Sequence, residues 1–184
     1  IDGPWQVGHK TAYEYGRLAN ETAKIYRKFD EDLELIVCGS SNDKMTTYPE
    51  WEAEVLDQSY ESVDYISLHK YWNNYPKDTL NYLASHYELD EYIGTVRSVI
   101  QYIKAKKRAK NDVYICFDEW NPWYHTNKRD HELLKTWDWP EAPHLFEDPY
   151  NLEDALLVGT VINSFIRNAD IVKIACMAQL VNVI

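Results

Sequence analysis

The stretch that decides the fold is 113-VYICFDEWNP-122, in which five apolar residues run directly into two acids. The apolar part is short and rich in β-branched and aromatic residues, which predicts a strand buried on both faces of a parallel sheet. Glu119 then lies at the C-terminal end of this strand. Because active sites of parallel α/β folds lie at that end, the pattern predicts a catalytic carboxylate. Trp120 and Trp123 flank this carboxylate, which places it well for chemistry on a sugar. An acid that merely ends a strand is the alternative for the motif alone.

Helices and strands alternate along the rest of the chain. We predict helices at 11–29, 47–60, 90–107 and 151–168, and strands at 33–39, 64–69, 113–117 and 171–178. Capping patterns start three of these helices: Thr11 with Glu14, Thr47 with Glu50, and Asn151. This alternation predicts right-handed βαβ units and a parallel sheet, and therefore an α/β fold.

The composition excludes some classes of partner. A chain of 184 residues is expected to form one domain with a sizeable core. Its net charge of −11 argues against binding to nucleic acids or anionic membranes, because phosphate binding is driven by basic residues. Aromatic residues make up 14% of the chain, more than the core needs, so some are expected to line a surface for a neutral ligand such as a sugar.

The cysteines and the ends of the chain bear on location. Cys38, Cys116 and Cys176 lie in separate apolar runs without the spacing of a zinc site, which predicts buried free thiols, a reducing compartment, and neither metal nor cofactor. The longest apolar stretch, 171–184, is interrupted by polar residues and is too short to span a bilayer. We therefore expect a soluble cytoplasmic protein. A start without Met and an end inside an apolar run indicate a fragment truncated at both ends.

Other strand ends add polar groups. His69 and Tyr71 are two residues apart, so they lie on the same side of an extended chain and can reach one ligand. The same alternation predicts that Asp118 points away from Glu119. Gln179 follows the last strand. Taken singly, a structural histidine and a solvated glutamine are the simpler interpretations, whereas together with Glu119 these residues form a polar cup with aromatic walls.

The segment 122–149 is the longest connection, with 28 residues. This length far exceeds that of an ordinary connection between a strand and a helix. We predict a lid or a substrate wall, with structural disorder as the alternative.

Four motifs resemble the α-L-arabinofuranosidases of glycoside hydrolase family 51, in order along the whole chain. They are 1-IDGPWQVGHKT-11, 63-VDYISLH-69, 117-FDEWN-121 followed by 123-WYH-125, and 178-AQLVNV-183. The resemblance implies a (β/α)8 barrel, of which this chain is the second half, about strands five to eight. It also implies an enzyme that cleaves terminal arabinofuranosyl groups from arabinose-containing oligosaccharides with retention of configuration.

The resemblance assigns roles to individual residues. Glu119 becomes the nucleophile at the end of strand seven, and the acid/base is a Glu in a Gly-Asn-Glu motif expected directly before Ile1. His69 and Tyr71 end strand six and hold the nucleophile and the sugar. Trp123 walls the site, and Gln179, at the end of strand eight, reaches a sugar hydroxyl.

Two other functions stay open at this point. One is a carbohydrate-binding derivative of the fold without turnover, and the other is an endo-acting glucanase or xylanase that uses the same two carboxylates. A homo-oligomer of the complete protein also stays open. Because half a barrel exposes two sheet edges, we expect the isolated segment to be unstable and inactive.

Overall fold

The computed structural model describes residues 2–136, 141 and 148–180. Its sheet has four parallel strands in chain order: β1 (Ile36–Cys38), β2 (Tyr65–Trp72), β3 (Tyr114–Pro122) and β4 (Val172–Met177). The helices are α1 (Ala12–Phe29), α2 (Glu50–Ser59), α3 (Thr79–Leu83), α4 (His86–Lys107), α5 (Asn127–Lys135) and α6 (Leu152–Arg167), and a 3-10 turn spans Tyr60–Ser62. The predicted α/β class and the parallel sheet are confirmed.

The core lies between the sheet and a row of helices. Helix α1 packs on α2, α2 on α4, and α4 on α6. Alternate strand residues fill the space beneath the helices, among them Val37, Ile66, Leu68, Ile115 and Phe117. On the edge strand β1 the two neighbours of Val37, Ile36 and Cys38, point to the opposite face and are exposed, whereas Ser67 and Cys116 on the same face of the inner strands are buried. The two faces of the sheet therefore differ, and the candidate site lies on the second one.

Two of the three predicted helix starts are confirmed. Thr11 forms a capping box with Glu14. Asn151 forms one with Asp154. The capping box predicted at Thr47 is wrong, because Pro49 is itself the N-cap and α2 begins two residues later than that pattern requires.

Several boundaries differ from the sequence pattern. Strand β1 has only three residues, α4 begins four residues before position 90, and the short α3 was not predicted. Strands β2 and β3 extend beyond their apolar runs because the residues at their C-terminal ends pair with each other, Tyr71 with Asn121 and Trp72 with Pro122. Helix α5 lies within the predicted loop 122–149. Residues 137–140 and 142–147 of that loop lie outside the described part of the chain.

The thiols are free, but two of them are not buried. Cys116 is buried, whereas Cys38 and Cys176 are exposed. The prediction of three buried thiols is therefore wrong, because strand alternation turns Cys38 away from the helices while its neighbour Val37 enters the core. Within the described ranges, no group of His, Cys, Asp or Glu side chains is arranged to hold a metal ion. No helix there has the length and apolar character needed to cross a membrane.

Candidate active site

The C-terminal ends of β2 and β3 bring together three of the predicted site residues. The Tyr71 hydroxyl donates a hydrogen bond of 3.0 Å to Glu119 Oε2. His69 Nδ1 lies 3.4 Å from the same oxygen. The prediction that His69 and Tyr71 share one side of their strand is thus confirmed. The Glu119 carboxylate has two potential donors on one oxygen, and its side chain remains 49% exposed, so a ligand can reach it.

A β-bulge adds a fourth residue, Asp118. Between Ser67 and His69 the strand β2 advances by two residues, while its partner β3 advances by three, from Cys116 to Glu119. The pairing of β3 with β4 shifts at the same place. Such an extra residue breaks the two-residue alternation of side chains. As a result Asp118 Oδ1 lies 3.1 Å from His69 Nε2, and the prediction that Asp118 points away from the site is wrong.

The electrostatics favour a charged His69 and a protonated Tyr71. Burial of the His69 ring alone would lower its pKa, but the nearby Asp118 carboxylate, together with the charges of Glu119 and Asp2, outweighs burial and raises the pKa. Burial and the charge of Glu119 raise the pKa of Tyr71 well above its ordinary value. Tyr71 is therefore a permanent hydrogen-bond donor to the carboxylate at neutral pH.

An aromatic wall stands beside the carboxylate. The rings of Tyr71 and Trp123 lie 5.7 Å apart, centroid to centroid, at an angle of 59°. Trp123 is 38% exposed, so part of its ring is free to contact a ligand. The backbone N–H of Trp123 donates to Trp72 O at 3.1 Å, which extends the ladder between the two strands and fixes the start of the wall.

Asp148 fastens the chain behind this wall and was not found from the sequence. Its buried carboxylate accepts hydrogen bonds from three successive backbone N–H groups, those of Tyr124, His125 and Thr126, at 2.9, 3.3 and 2.8 Å. Tyr150, two residues later, accepts a hydrogen bond from Asn121 Nδ2 at 3.0 Å. The far end of the long connection is therefore bound to its beginning. An Asp before Pro149 carries no local signal for this role, because its partners lie more than twenty residues away.

Two further polar residues lie near the ends of the strands. The Ala178 N–H donates to Trp120 O at 3.1 Å, which brings the half-buried Gln179 to the same edge of the sheet as Glu119. The buried Asp2 accepts hydrogen bonds from Ser41 N at 2.9 Å and from Ser41 Oγ at 2.6 Å. These bonds hold the N-terminal segment against the connection that follows β1. The role of Asp2 was also missed from the sequence.

Lys70 does not belong to the site, although it lies between His69 and Tyr71. Its ammonium group is buried on the other side of β2, 2.6 Å from Asp43 and 3.5 Å from Glu88. The exposed side of the strand end is left to His69 and Tyr71. This arrangement can stabilise a carboxylate in its ionised form and supply it with donors, as a carboxylate nucleophile requires.

Comparisons with known sequences find α-L-arabinofuranosidases. A family model described as the C-terminal domain of α-L-arabinofuranosidases matches residues 118–184. The chain is similar to the intracellular exo-α-(1→5)-L-arabinofuranosidase of Acetivibrio thermocellus, with 53% identity over all of the chain and 37% of that protein. It is also 53% identical to intracellular exo-α-(1→5)-L-arabinofuranosidase 1 of Bacillus subtilis, again over the whole chain and 36% of that protein. The chain thus spans little more than a third of the length of these relatives.

Solved structures agree with the sequence comparisons. A family 51 α-L-arabinofuranosidase of Bifidobacterium longum matches with a TM-score of 0.91 at 32% identity, over 99% of this chain and 38% of the other. The α-L-arabinofuranosidase of Thermotoga maritima, solved in complex with arabinose, matches with a TM-score of 0.76 at 33% identity, over 98% of this chain and 32% of the other.

Proposed function

Because this chain is homologous over its whole length to the α-L-arabinofuranosidases of glycoside hydrolase family 51, we propose that it is part of an enzyme that releases terminal α-L-arabinofuranosyl groups with retention of configuration. The observation that carries the proposal is the Glu119 carboxylate, which the Tyr71 hydroxyl and the His69 ring approach at the end of β3. The homology supports this class of substrate, and the contacts support Glu119 as the nucleophile.

In this proposal Glu119 attacks the anomeric carbon of the sugar and forms a covalent glycosyl-enzyme. A second carboxyl group, roughly 5 Å away, protonates the leaving oxygen and then activates the water that releases the sugar. The resemblance to the family assigns that role to a Glu expected directly before Ile1. The bonds between Asp2 and Ser41 support the assignment, because they hold the adjoining segment at the end of β1.

The remaining predicted residues are assigned to the substrate. Trp123 presents a partly exposed ring next to Tyr71, which suits the apolar face of a sugar. Gln179 lies at the same edge of the sheet and offers both a donor and an acceptor to a sugar hydroxyl. Both roles agree with the positions of these residues at the ends of β3 and β4.

We further propose that the four strands are strands five to eight of a (β/α)8 barrel. Their parallel order in chain sequence supports this, as do the helices packed in a row on one face. The exposed Ile36 and Cys38 on the other face agree with a barrel interior. Because the relatives from Acetivibrio thermocellus and Bacillus subtilis are called intracellular exo-α-(1→5)-L-arabinofuranosidases, arabinose-containing oligosaccharides inside the cell are the proposed substrates.

The test removes the nucleophile in the protein expressed from its complete reading frame. Glu119→Ala should lower turnover of an arabino-oligosaccharide by several orders of magnitude while the sugar still binds. Azide should then attack an activated aryl arabinofuranoside from the vacated side and yield a glycosyl azide of inverted configuration, because one displacement replaces two. Glu61→Ala, which removes an exposed glutamate outside the site, is the matched control. Near-normal turnover in Glu119→Ala, or an azide product of retained configuration, would contradict the assignment.

A further inference from the structure

His69 lies between two carboxylates, one on each ring nitrogen. Nε2 is 3.1 Å from Asp118 Oδ1, and Nδ1 is 3.4 Å from Glu119 Oε2. Asp118 Oδ1 is buried, and the close approach of this carboxylate to the ring raises the pKa of His69. The β3 bulge produces this arrangement, because it sets two consecutive acids opposite one histidine.

The protonation state of the ring follows from its two neighbours. A neutral imidazole carries one N–H group and one lone pair, so it would turn a lone pair towards one of the two acids. A doubly protonated ring carries N–H groups on both nitrogens and a positive charge. Only this form is attracted to both carboxylates.

The other groups around the ring do not supply a competing cation. Asp2 adds a third negative charge at longer range. Tyr71 on β2 and Tyr15 on α1 are neutral at physiological pH, since burial raises the pKa of each phenol. Burial also raises the pKa of the Cys116 thiol to about 12, so this group is neutral as well. Within the described ranges, no Lys or Arg forms an ion pair with Asp118 or Glu119, and His69 is the group of that part that can offer both of them a positive charge.

We propose that Asp118 is a positioning residue that keeps His69 protonated and aimed at Glu119, so that the nucleophile always faces a cation. This inference rests on the proposed function. The cation matters most in the second step of the reaction. There a water gives a proton to the second carboxyl group, its oxygen forms a bond to the anomeric carbon, the bond from that carbon to Glu119 breaks, and the electron pair of that bond returns to the carboxylate. His69 then stabilises the charge that reappears on Glu119.

This role predicts a distinct kinetic pattern. In Asp118→Asn the negative charge is lost without a change in size, so the pKa of His69 should fall by about one pH unit or more. His69 is charged below its pKa and neutral above it, so the raised pKa extends the charged form to higher pH. In Asp118→Asn the basic limb of kcat should therefore move to lower pH, and kcat at a fixed pH on that limb should fall about tenfold for each pH unit that the limb moves. With a fast-leaving aryl substrate kcat and KM should fall together, while kcat/KM stays nearly unchanged, because only the second step is slowed.

The experiment follows the titration of the histidines by NMR in the complete protein, with His69→Gln to assign the His69 signal. Asp118→Glu restores the charge and should return the titration towards that of the wild type. Asp112→Asn, which removes an exposed acid paired with Lys104, should leave both His69 and the kinetics unchanged. Thermal unfolding checks that each variant is folded.

Each outcome decides a separate question. An unchanged His69 titration in folded Asp118→Asn overturns the proposal, as does a lowered titration with an unchanged pH profile of kcat. If the wild type releases no arabinose, the proposed function fails, whereas the NMR titration still tests the pairing of Asp118 with His69. A loss confined to kcat/KM would also contradict the inference, because it would place the effect in the first step.

Discussion

Two histidines of this molecule lie against carboxylates, and their surroundings differ. His69 lies 3.1 Å from Asp118 and 3.4 Å from Glu119, and its side chain is 30% exposed. His125 lies 2.7 Å from Asp154, whose side chain is only 2% exposed. At the first site two carboxylates share one histidine, whereas at the second site one carboxylate accepts from several donors.

The partners of Asp154 show what the second pair does. Its carboxylate also accepts hydrogen bonds from the Tyr82 hydroxyl and from Asn151 N, each at 2.9 Å. These partners come from α3, from the chain after β3 and from the start of α6, so one buried acid joins three segments. At His69 two carboxylates share one ring, which supplies the positive charge between them. A His–Asp pair thus stabilises the fold where the acid has several donors, as at Asp154, and serves the candidate site where two acids share one histidine, as at His69.

The largest expected effect is on the free energy of unfolding, which should differ between removal of Asp154 and removal of Asp118. Asp154→Ala leaves His125 and Tyr82 without their buried acceptor and should lower the free energy of unfolding by about 3 kcal/mol. Asp118→Ala removes a side chain that is 40% exposed and should cost less than about 1 kcal/mol. Denaturant unfolding of the complete protein measures both values. Equal losses would mean that the two pairs are structural to the same degree.

An intermediate effect is expected at the aromatic wall on the His69 side. Trp123→Ala removes the ring that we assign to sugar stacking and should lower kcat/KM for an arabino-oligosaccharide by about 1 to 3 kcal/mol in transition-state energy. Tyr102→Ala removes another exposed aromatic ring, on α4, and is the control. An unchanged kcat/KM in Trp123→Ala would show that this ring only packs against Tyr71.

The smallest effect compares the two tyrosines that donate to these acids. Tyr71→Phe removes the hydrogen bond to Glu119 and should lower kcat/KM about tenfold with little change in stability. Tyr82→Phe removes the bond to Asp154 and should lower the free energy of unfolding by about 1 kcal/mol with little change in kcat/KM. If the two variants exchanged these effects, our division between site and scaffold would be wrong.

The fold was largely predictable because its signals are local. The apolar run before Asp118 and the capping residues Thr11 and Asn151 act over a few positions, and the structure confirms each of them. The ends of β2 and β3 were not predictable from hydrophobic pattern. Their polar residues belong to the sheet only because each strand supplies the other's hydrogen-bond partners.

The candidate site was predicted in part. Glu119, His69 and Tyr71 do lie together, since strand alternation holds along β2. The alternation of side chains fails on β3, where the bulge turns Asp118 towards His69. No residue type near the bulge predicts this extra residue. Asp148 escaped notice for a related reason. Its role depends on backbone groups far away in sequence, which become neighbours only after the connection has folded.

Asp148 also allows the long connection to vary in length and sequence. Its carboxylate binds the N–H groups of Tyr124 and Thr126. The chain between Thr126 and Asp148 is therefore anchored at both of its ends, beside the candidate site. Residues added or removed between these anchors need not move Trp123. Doubling the length of such a closed loop costs only about 0.6 kcal/mol in closure entropy. The length and sequence of this segment can therefore change without displacing Trp123 or the proposed nucleophile Glu119.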